Sequence, residues 1–299
     1  MKTLTIFTPT FNRAQLLPRL YESLKNQTNQ DFVWMIVNDG SSDNTDEVVQ
    51  GFIDERILEI EYIKKKNQGM HGAHNTAYNN CKTVINTCID DDDMMPEHAV
   101  ELIIEKWNSL GENQKKYSGI IALDAYFDGK VIGTAFTAAS TTLEDFYLNG
   151  GCGDKKLIYR TEVMKQYPEY PIFEGEKYVG LGYKYLLADQ DYELATLNEV
   201  VCLVDYQPEG SSNNMWRQYY KNPKGFAFLR KEQMKISKSK KRILKDAAHY
   251  VAHSIKSNNW NFMAESPRKF LTFLAIPFGF ALYFYTLYQN KKQGGLYER

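Results

Sequence analysis

Asp90-Asp91-Asp92-Asp93 is the densest chemical feature of the chain. Four consecutive carboxylates repel one another, and a cation relieves the repulsion; hard ions such as Mg²⁺ or Mn²⁺ take oxygen ligands and share them with phosphates. A solvated acidic loop is the competing reading of a bare acidic run. This one directly follows a predicted strand, and ligands of open α/β sheets bind beyond the carboxyl ends of the strands. Three further polar stretches stand at comparable strand ends: Thr8-Pro9-Thr10-Phe11-Asn12-Arg13, Asn38-Asp39-Gly40-Ser41-Ser42-Asp43-Asn44-Thr45 and Asn67-Gln68-Gly69-Met70-His71-Gly72-Ala73-His74-Asn75. Each alone reads equally well as helix capping. Together they surround a nucleotide-sized crevice whose helix N-termini and glycine amides suit a diphosphate.

Such junctions need a parallel sheet to align them. In the first hundred residues short apolar or β-branched runs alternate with helix-period segments. Strands are expected at Leu4–Thr8, Phe32–Asn38, Leu58–Ile63 and Val84–Ile89, with helices at Gln15–Lys25, Asp43–Phe52 and Ala73–Cys81, and a further helix opening at Pro96. Beyond Leu110 the expected strands are Ile120–Leu123, Val131-Ile132 and Val200–Val204, with a helix at Leu186–Leu194. The domain reading is 1–212, split into a first half (1–110) bearing the four junctions and an acceptor half (111–212), followed by a basic helical extension, 213–299.

The four motifs, in this order and spacing, resemble family 2 glycosyltransferases of the GT-A fold, closely over about the first hundred residues. The resemblance implies an α/β, Rossmann-like fold with a mostly parallel sheet. It implies that Thr8, Pro9 and Thr10 line a nucleoside pocket, that Asp39 accepts hydrogen bonds from the base, and that Asn12, Gly69 and His74 belong to the same donor-binding set. Asp90 takes the place of the first carboxylate of the family's D-x-D, near the ribose. Asp92 takes that of the second, a ligand of Mn²⁺ or Mg²⁺ beneath the diphosphate, with Asp93 as auxiliary; Asp91 occupies the variable position and is the one left dispensable. His74 departs from the Arg found in many members, and a packing or capping role competes for it. For the base that takes the acceptor's proton, Phe173-Glu174-Gly175-Glu176-Lys177-Tyr178 resembles the family's acidic segment; Glu176 is the first candidate, Glu174 the second, and Asp189 and Asp191 the fallback, because Gly180-Leu181-Gly182 lacks the further acid of some relatives. The implied partners are a nucleoside diphosphate sugar, of the UDP-sugar type, and a polysaccharide or lipid-linked saccharide acceptor. The alternative is a catalytically degenerate sugar-nucleotide binder or an assembly partner of other transferases.

Composition frames these expectations. The 299 residues carry a formal net charge of −1, yet 1–212 hold 19 Lys and Arg against 33 Asp and Glu, and 213–299 hold 17 against 4. Composition excludes a disordered or disulfide-scaffold chain. Cys81, Cys88, Cys152 and Cys202 show no metal-ligand spacing and read as reduced thiols of a cytoplasmic protein. His249 and His253 have helical i, i+4 spacing without a glutamate beside the first, which reads as ordinary helix-face histidines. The basic end is assigned to a membrane surface, with no nucleic-acid partner. Its uncharged run Phe270–Tyr288, flanked by Arg268-Lys269 and Lys291-Lys292, leaves three readings open: interfacial attachment at the inner face of the cell membrane, packing in a core or oligomer interface, or a span. Oligomeric state is left open.

Overall fold

Eight strands form one mixed sheet in the computed structural model, which describes residues 2–207 and 214–297, with side chains to Lys292. The strands are β1 (Leu4–Thr10), β2 (Phe32–Asn38), β3 (Ile60–Lys64), β4 (Ile85–Cys88), β5 (Tyr117–Tyr126), β6 (Ser140–Thr141), β7 (Lys155–Arg160) and β8 (Glu193–Val204), in spatial order β3-β2-β1-β4-β7-β5-β8-β6. The helices are α1 (Leu17–Lys25), α2 (Thr45–Glu55), α3 (Met70–Asn80), α4 (Ala99–Ser109), α5 (Leu143–Leu148), α6 (Thr161–Gln166), α7 (Gly182–Asp191), α8 (Met215–Lys221), α9 (Pro223–Ile236), α10 (Lys240–Lys256), α11 (Phe262–Glu265) and α12 (Lys269–Tyr297). By internal contacts the chain divides into two units. The first comprises Met1–Asn67, Gly72–Pro168 and Ala188–Asp205; the second comprises Gln68–His71, Glu169–Leu187 and Tyr206–Arg299. Glu169–Leu187, assigned by sequence to the acceptor half of 1–212, thus groups with the C-terminal helices. The boundary expected at 212/213 lies outside the described residues.

In the first unit β3, β2, β1 and β4 run parallel, so the ends of β1, β2 and β4 open on one sheet edge. β2 is buried along its whole length, as its unbroken apolar run requires of a strand covered on both faces. Trp34 of β2 meets Tyr21 of α1 and Phe52 of α2, whose rings stack at 4.1 Å. β7 then inserts antiparallel to both β4 and β5, and β6 pairs antiparallel with β8 at the far edge, so the sheet is mixed. Sequence periodicity missed β7. Val131-Ile132, expected as a strand, supplies only an isolated bridge from Val131 to Ala125. The expected helix Leu186–Leu194 is shifted: α7 ends at Asp191 and β8 begins at Glu193. The helix expected to open at Pro96 begins at Ala99, behind a turn in which Ala99 N–H donates to Pro96 O.

In the second unit α9, α10, α11 and α12 share a core that includes Met234, Ile243, Tyr250, Val251, Phe262 and Ala275. Ser239 caps α10 by accepting from Arg242 N–H. Asp246, one of the few acids of this basic stretch, is buried against Arg230 at 2.8 Å. His253 is buried among Phe226, Tyr219 and His249, a packing role for the i, i+4 pair. The four cysteines are free thiols.

Candidate active site

Beyond β1 the chain must turn sharply, and Asn12 does so in the left-handed region at φ 54°, which asparagine tolerates. It ties this turn to the one after β2: its N–H donates to Ser41 Oγ at 2.9 Å, and Ser42 N–H donates to its Oδ1 at 2.7 Å. Gly40, at φ +84°, leaves no room for a side chain, since a Cβ there would lie 2.9 Å from the Asn67 amide nitrogen. Asp39 is buried; its N–H donates to Thr10 O, and its Oδ1 accepts from Lys65 Nζ at 2.9 Å. Lys65, just past the end of β3, was not singled out from sequence.

The acid run after β4 is sorted by direction. Asp91 points inward: Thr10 Oγ1 donates to its Oδ2 at 2.8 Å, and Arg13 meets its Oδ1 at 2.6 Å. The same guanidinium reaches Asp92 Oδ2. Asp91 is therefore an internal brace between the β1 and β4 junctions and not a spare acid of the run, which corrects its reading as the dispensable member. Asp93 is buried too, accepting from Asp205 N–H at 3.2 Å, with Cys202 Sγ at 3.6 Å and Lys156 Nζ at 4.0 Å. Asp90 is half-buried beside Cys88 Sγ. Thr8, expected in the nucleoside pocket, spends its hydroxyl on the sheet interior, where Trp34 Nε1 donates to it at 3.0 Å; Pro9 is half-buried beside it.

Burial sets the electrostatics of this cluster. It pushes Asp91 and Asp93 up to about 7, against the pull of Arg13 on the first and Lys156 on the second, and it raises Asp90 as well. Asp124 of β5, buried near Lys156, is pushed up to about 6. Burial alone would lower Lys156, but Cys202, Asp124, Asp93 and Asp90 around it hold it well above the ordinary value. Neither Lys156 nor Asp124 was foreseen, because both depend on where β7 lies.

The donor set fits a hard divalent cation in kind: Asp90, Asp92 and Asp93 offer oxygen only, in a setting where negative charge is costly. Among the described residues no three acids, histidines or cysteines form a closed metal cage. Asp92 is the less enclosed of the two carboxylates that Arg13 meets.

The remaining candidates lie elsewhere. His74 is buried at the edge of the Phe7 ring, centroids 4.9 Å apart, with Tyr78 Oη 3.4 Å from its Nδ1, a packed position. Gly69 belongs to the second unit at φ +84°, where a Cβ would strike the Lys177 carbonyl oxygen at 2.0 Å. In that unit Val179 N–H donates to His71 Nδ1. Glu176 is buried, and both its oxygens accept backbone N–H groups at the start of α9: Lys224 at 2.9 Å and Gly225 at 2.8 Å. Burial nonetheless raises it above the ordinary carboxylate value. Glu174 is exposed. Asp189, pushed up to about 6 by burial, receives Glu144 N–H at 2.8 Å, and Asp191 receives Tyr167 Oη at 2.6 Å.

Residues 5–115 match the family described as "Glycosyl transferase family 2". Over 105 residues the chain is 33% identical to "Glycosyltransferase GlyA" of Streptococcus pneumoniae, covering 34% of this chain and 15% of that one. Over 112 residues it is 34% identical to "GalNAc(5)-diNAcBac-PP-undecaprenol beta-1,3-glucosyltransferase" of Campylobacter jejuni, covering 36% of this chain and 35% of that one. The match therefore spans a minor part of these relatives. In fold, S. aureus TarS 1-349 in complex with UDP-GlcNAc is similar over 98% of this chain and 92% of that one, with TM-score 0.65 and 15% identity. The mannosyltransferase PcManGT from Pyrobaculum calidifontis, in complex with GDP-Man and Mn²⁺, is similar over 97% of this chain and 84% of that one, with TM-score 0.55 and 16% identity. Residues 5–115, which carry the four junction motifs, are thus similar to family 2 glycosyltransferases, in a fold similar to those of TarS and PcManGT.

Proposed function

We propose that the chain is an inverting glycosyltransferase that moves a sugar from a nucleoside diphosphate sugar, a UDP-sugar, to a hydroxyl of a polysaccharide or lipid-linked saccharide, working at the cytoplasmic face of the cell membrane. The observation that carries this reading is the gathering of the Thr10–Arg13, Asp39 and Asp90–Asp93 junctions at the carboxyl ends of adjacent parallel strands. The UDP-GlcNAc bound to TarS and the undecaprenol-linked saccharide in the name of the C. jejuni relative support the donor and acceptor classes.

In this reading Pro9 and Thr10 flank the nucleoside, with Thr8 packed behind them in the sheet, and Asp39, held by Lys65, takes the base's hydrogen bonds. Asn12 and Gly69, both at positive φ, complete the donor set by shaping its turns, and His74 of α3 supports it by packing on Phe7 of β1. Asp92, with Asp90 and Asp93, would hold Mn²⁺ or Mg²⁺, which as a Lewis acid supplies charge stabilisation at the leaving diphosphate. Arg13 is placed to offer a second positive group there when it leaves Asp92. Glu176 would take the acceptor's proton: burial raises its affinity for protons above that of an ordinary carboxylate, and each oxygen keeps a lone pair beyond the backbone N–H it accepts. Glu174, exposed on the same segment, is second.

Those two backbone hydrogen bonds also favour a second reading, in which Glu176 serves only as a cap and the protein binds sugar nucleotides without turnover, as an assembly partner. The test is UDP-sugar hydrolysis and transfer with Mn²⁺ present, alongside thermal stabilisation by UDP. We expect slow hydrolysis by the native chain and its loss in Asp92→Ala. Wild-type turnover in Asp92→Ala defeats the metal assignment; stabilisation by UDP without turnover on any acceptor establishes the binder.

A further inference from the structure

The half of α12 turned away from its own bundle is apolar along the whole uncharged run. Thr272, Ala275, Gly279 and Thr286 lie buried on one side. Gly279 lets the helices approach so closely that a Cβ there would come 2.5 Å from the Val251 side chain of α10. On the other side Phe270, Phe273, Phe278, Phe284 and Tyr288 are each 62 to 73% exposed, with Leu274 and Tyr285 between them. These positions recur at the i, i+3, i+4 spacing of one helical face over roughly 28 Å of helix. Exposed apolar surface of this extent marks an interaction site. Basic residues stand at both ends: Arg268 and Lys269 at the start, and Lys291 and Lys292 at the finish, all exposed.

We infer that this face of α12 docks in the plane of an anionic lipid surface, the rings at the acyl boundary and the terminal lysines and arginine among the headgroups. This deepens the membrane attachment stated above and rests on it, but not on the transfer chemistry. Length and composition would allow α12 to span. Its other face, however, packs along α10, whose Lys240, Lys241 and Lys245 are exposed to water. A span would drag those ammonium groups into hydrocarbon, at a cost that in-plane docking avoids. A second copy of the chain fits less well, because both ends of the face are basic. Pairing two such faces, parallel or antiparallel, sets like charge against like.

The test is co-sedimentation of the full chain with phosphatidylcholine vesicles made with and without an anionic third of phosphatidylglycerol. Phe273→Glu/Phe278→Glu and Phe284→Glu/Tyr288→Glu serve as variants, all four positions being exposed and so compatible with folding. The native chain is expected to sediment with the anionic vesicles and to be weakened by high salt. Each double variant should lose more than about ten-fold in binding while staying folded. Retained UDP-sugar hydrolysis by the soluble variants separates this proposal from the transferase reading. Native protein left in the supernatant with both vesicle types, undiminished binding by both double variants, or a lipid-indifferent dimer that the variants dissociate would each overturn it.

Discussion

Arg13 has two acids to choose from, and the geometry ranks them. Asp91 is almost wholly buried and holds both the guanidinium and the Thr10 hydroxyl; Asp92 is less enclosed and holds the guanidinium alone. Arg13 is about a third exposed and keeps Asp92, but the buried Thr10 hydroxyl loses its acceptor, so Asp91→Ala should cost on the order of 1 to 2 kcal/mol in stability. Asp92→Ala should cost far less, because Arg13 keeps Asp91. Denaturant titration of the two variants reads the difference, and equal losses would remove the distinction between brace and open ligand site. Sequence exposed the acid run and the strand before it. It left unread which acid faces inward, because successive residues in a turn follow no period and the choice is made by Arg13, distant in the chain. The same holds for Asp39, whose partner Lys65 comes from the end of another strand.

At the scale of elements, the legible parts are those whose surroundings are uniform. β2, covered on both faces, announces itself as an apolar run, and the α1 stripe of Leu17, Leu20 and Leu24 faces one core. β7 reads Lys155-Lys156-Leu157-Ile158-Tyr159-Arg160, and no periodicity rule assigns two lysines to the middle of a sheet. They are accommodated only after folding: Lys155 Nζ donates to the Ile132 carbonyl at 2.7 Å, and Lys156 sits among Asp90, Asp93 and Asp124. The α9 start is likewise built from afar, with Glu176 accepting the Lys224 and Gly225 amides that the helix itself cannot satisfy. Glu176→Ala should therefore destabilise the second unit by about 1 to 2 kcal/mol. Glu176→Gln, which keeps an acceptor oxygen, should lose less stability and yet lose turnover if the carboxylate is the base. Measuring stability and kcat on both variants separates the roles: a glutamine variant with native turnover assigns Glu176 to the cap alone.

At the scale of the molecule, the near-neutral total conceals two units that answer acid in opposite ways. In the first, burial raises Asp124 to about 6 and Asp91 and Asp93 to about 7, so between the ordinary aspartate value near 4 and those values the folded unit holds more protons than the unfolded chain. Their contribution to stability is complete below about 4 and is lost as pH rises towards 7. In the second, burial lowers His249 to about 3 and His253 well below its usual value, with Arg230 adding its repulsion to both. Here the unfolded chain holds the extra protons, so this contribution is present above about 6.5 and is lost as pH falls. Moving the metal-free protein from pH 7.5 to pH 5 should therefore firm the sheet unit while loosening α9 and α10. Segment-resolved hydrogen exchange, corrected for intrinsic rates, reads each unit separately. Asp124→Asn, an uncharged near-isostere, should remove part of the sheet unit's slope and leave that of α10 unchanged. Protection that moves in the same direction in both units across this interval would contradict the assignment of these buried groups as the dominant proton-linked sites.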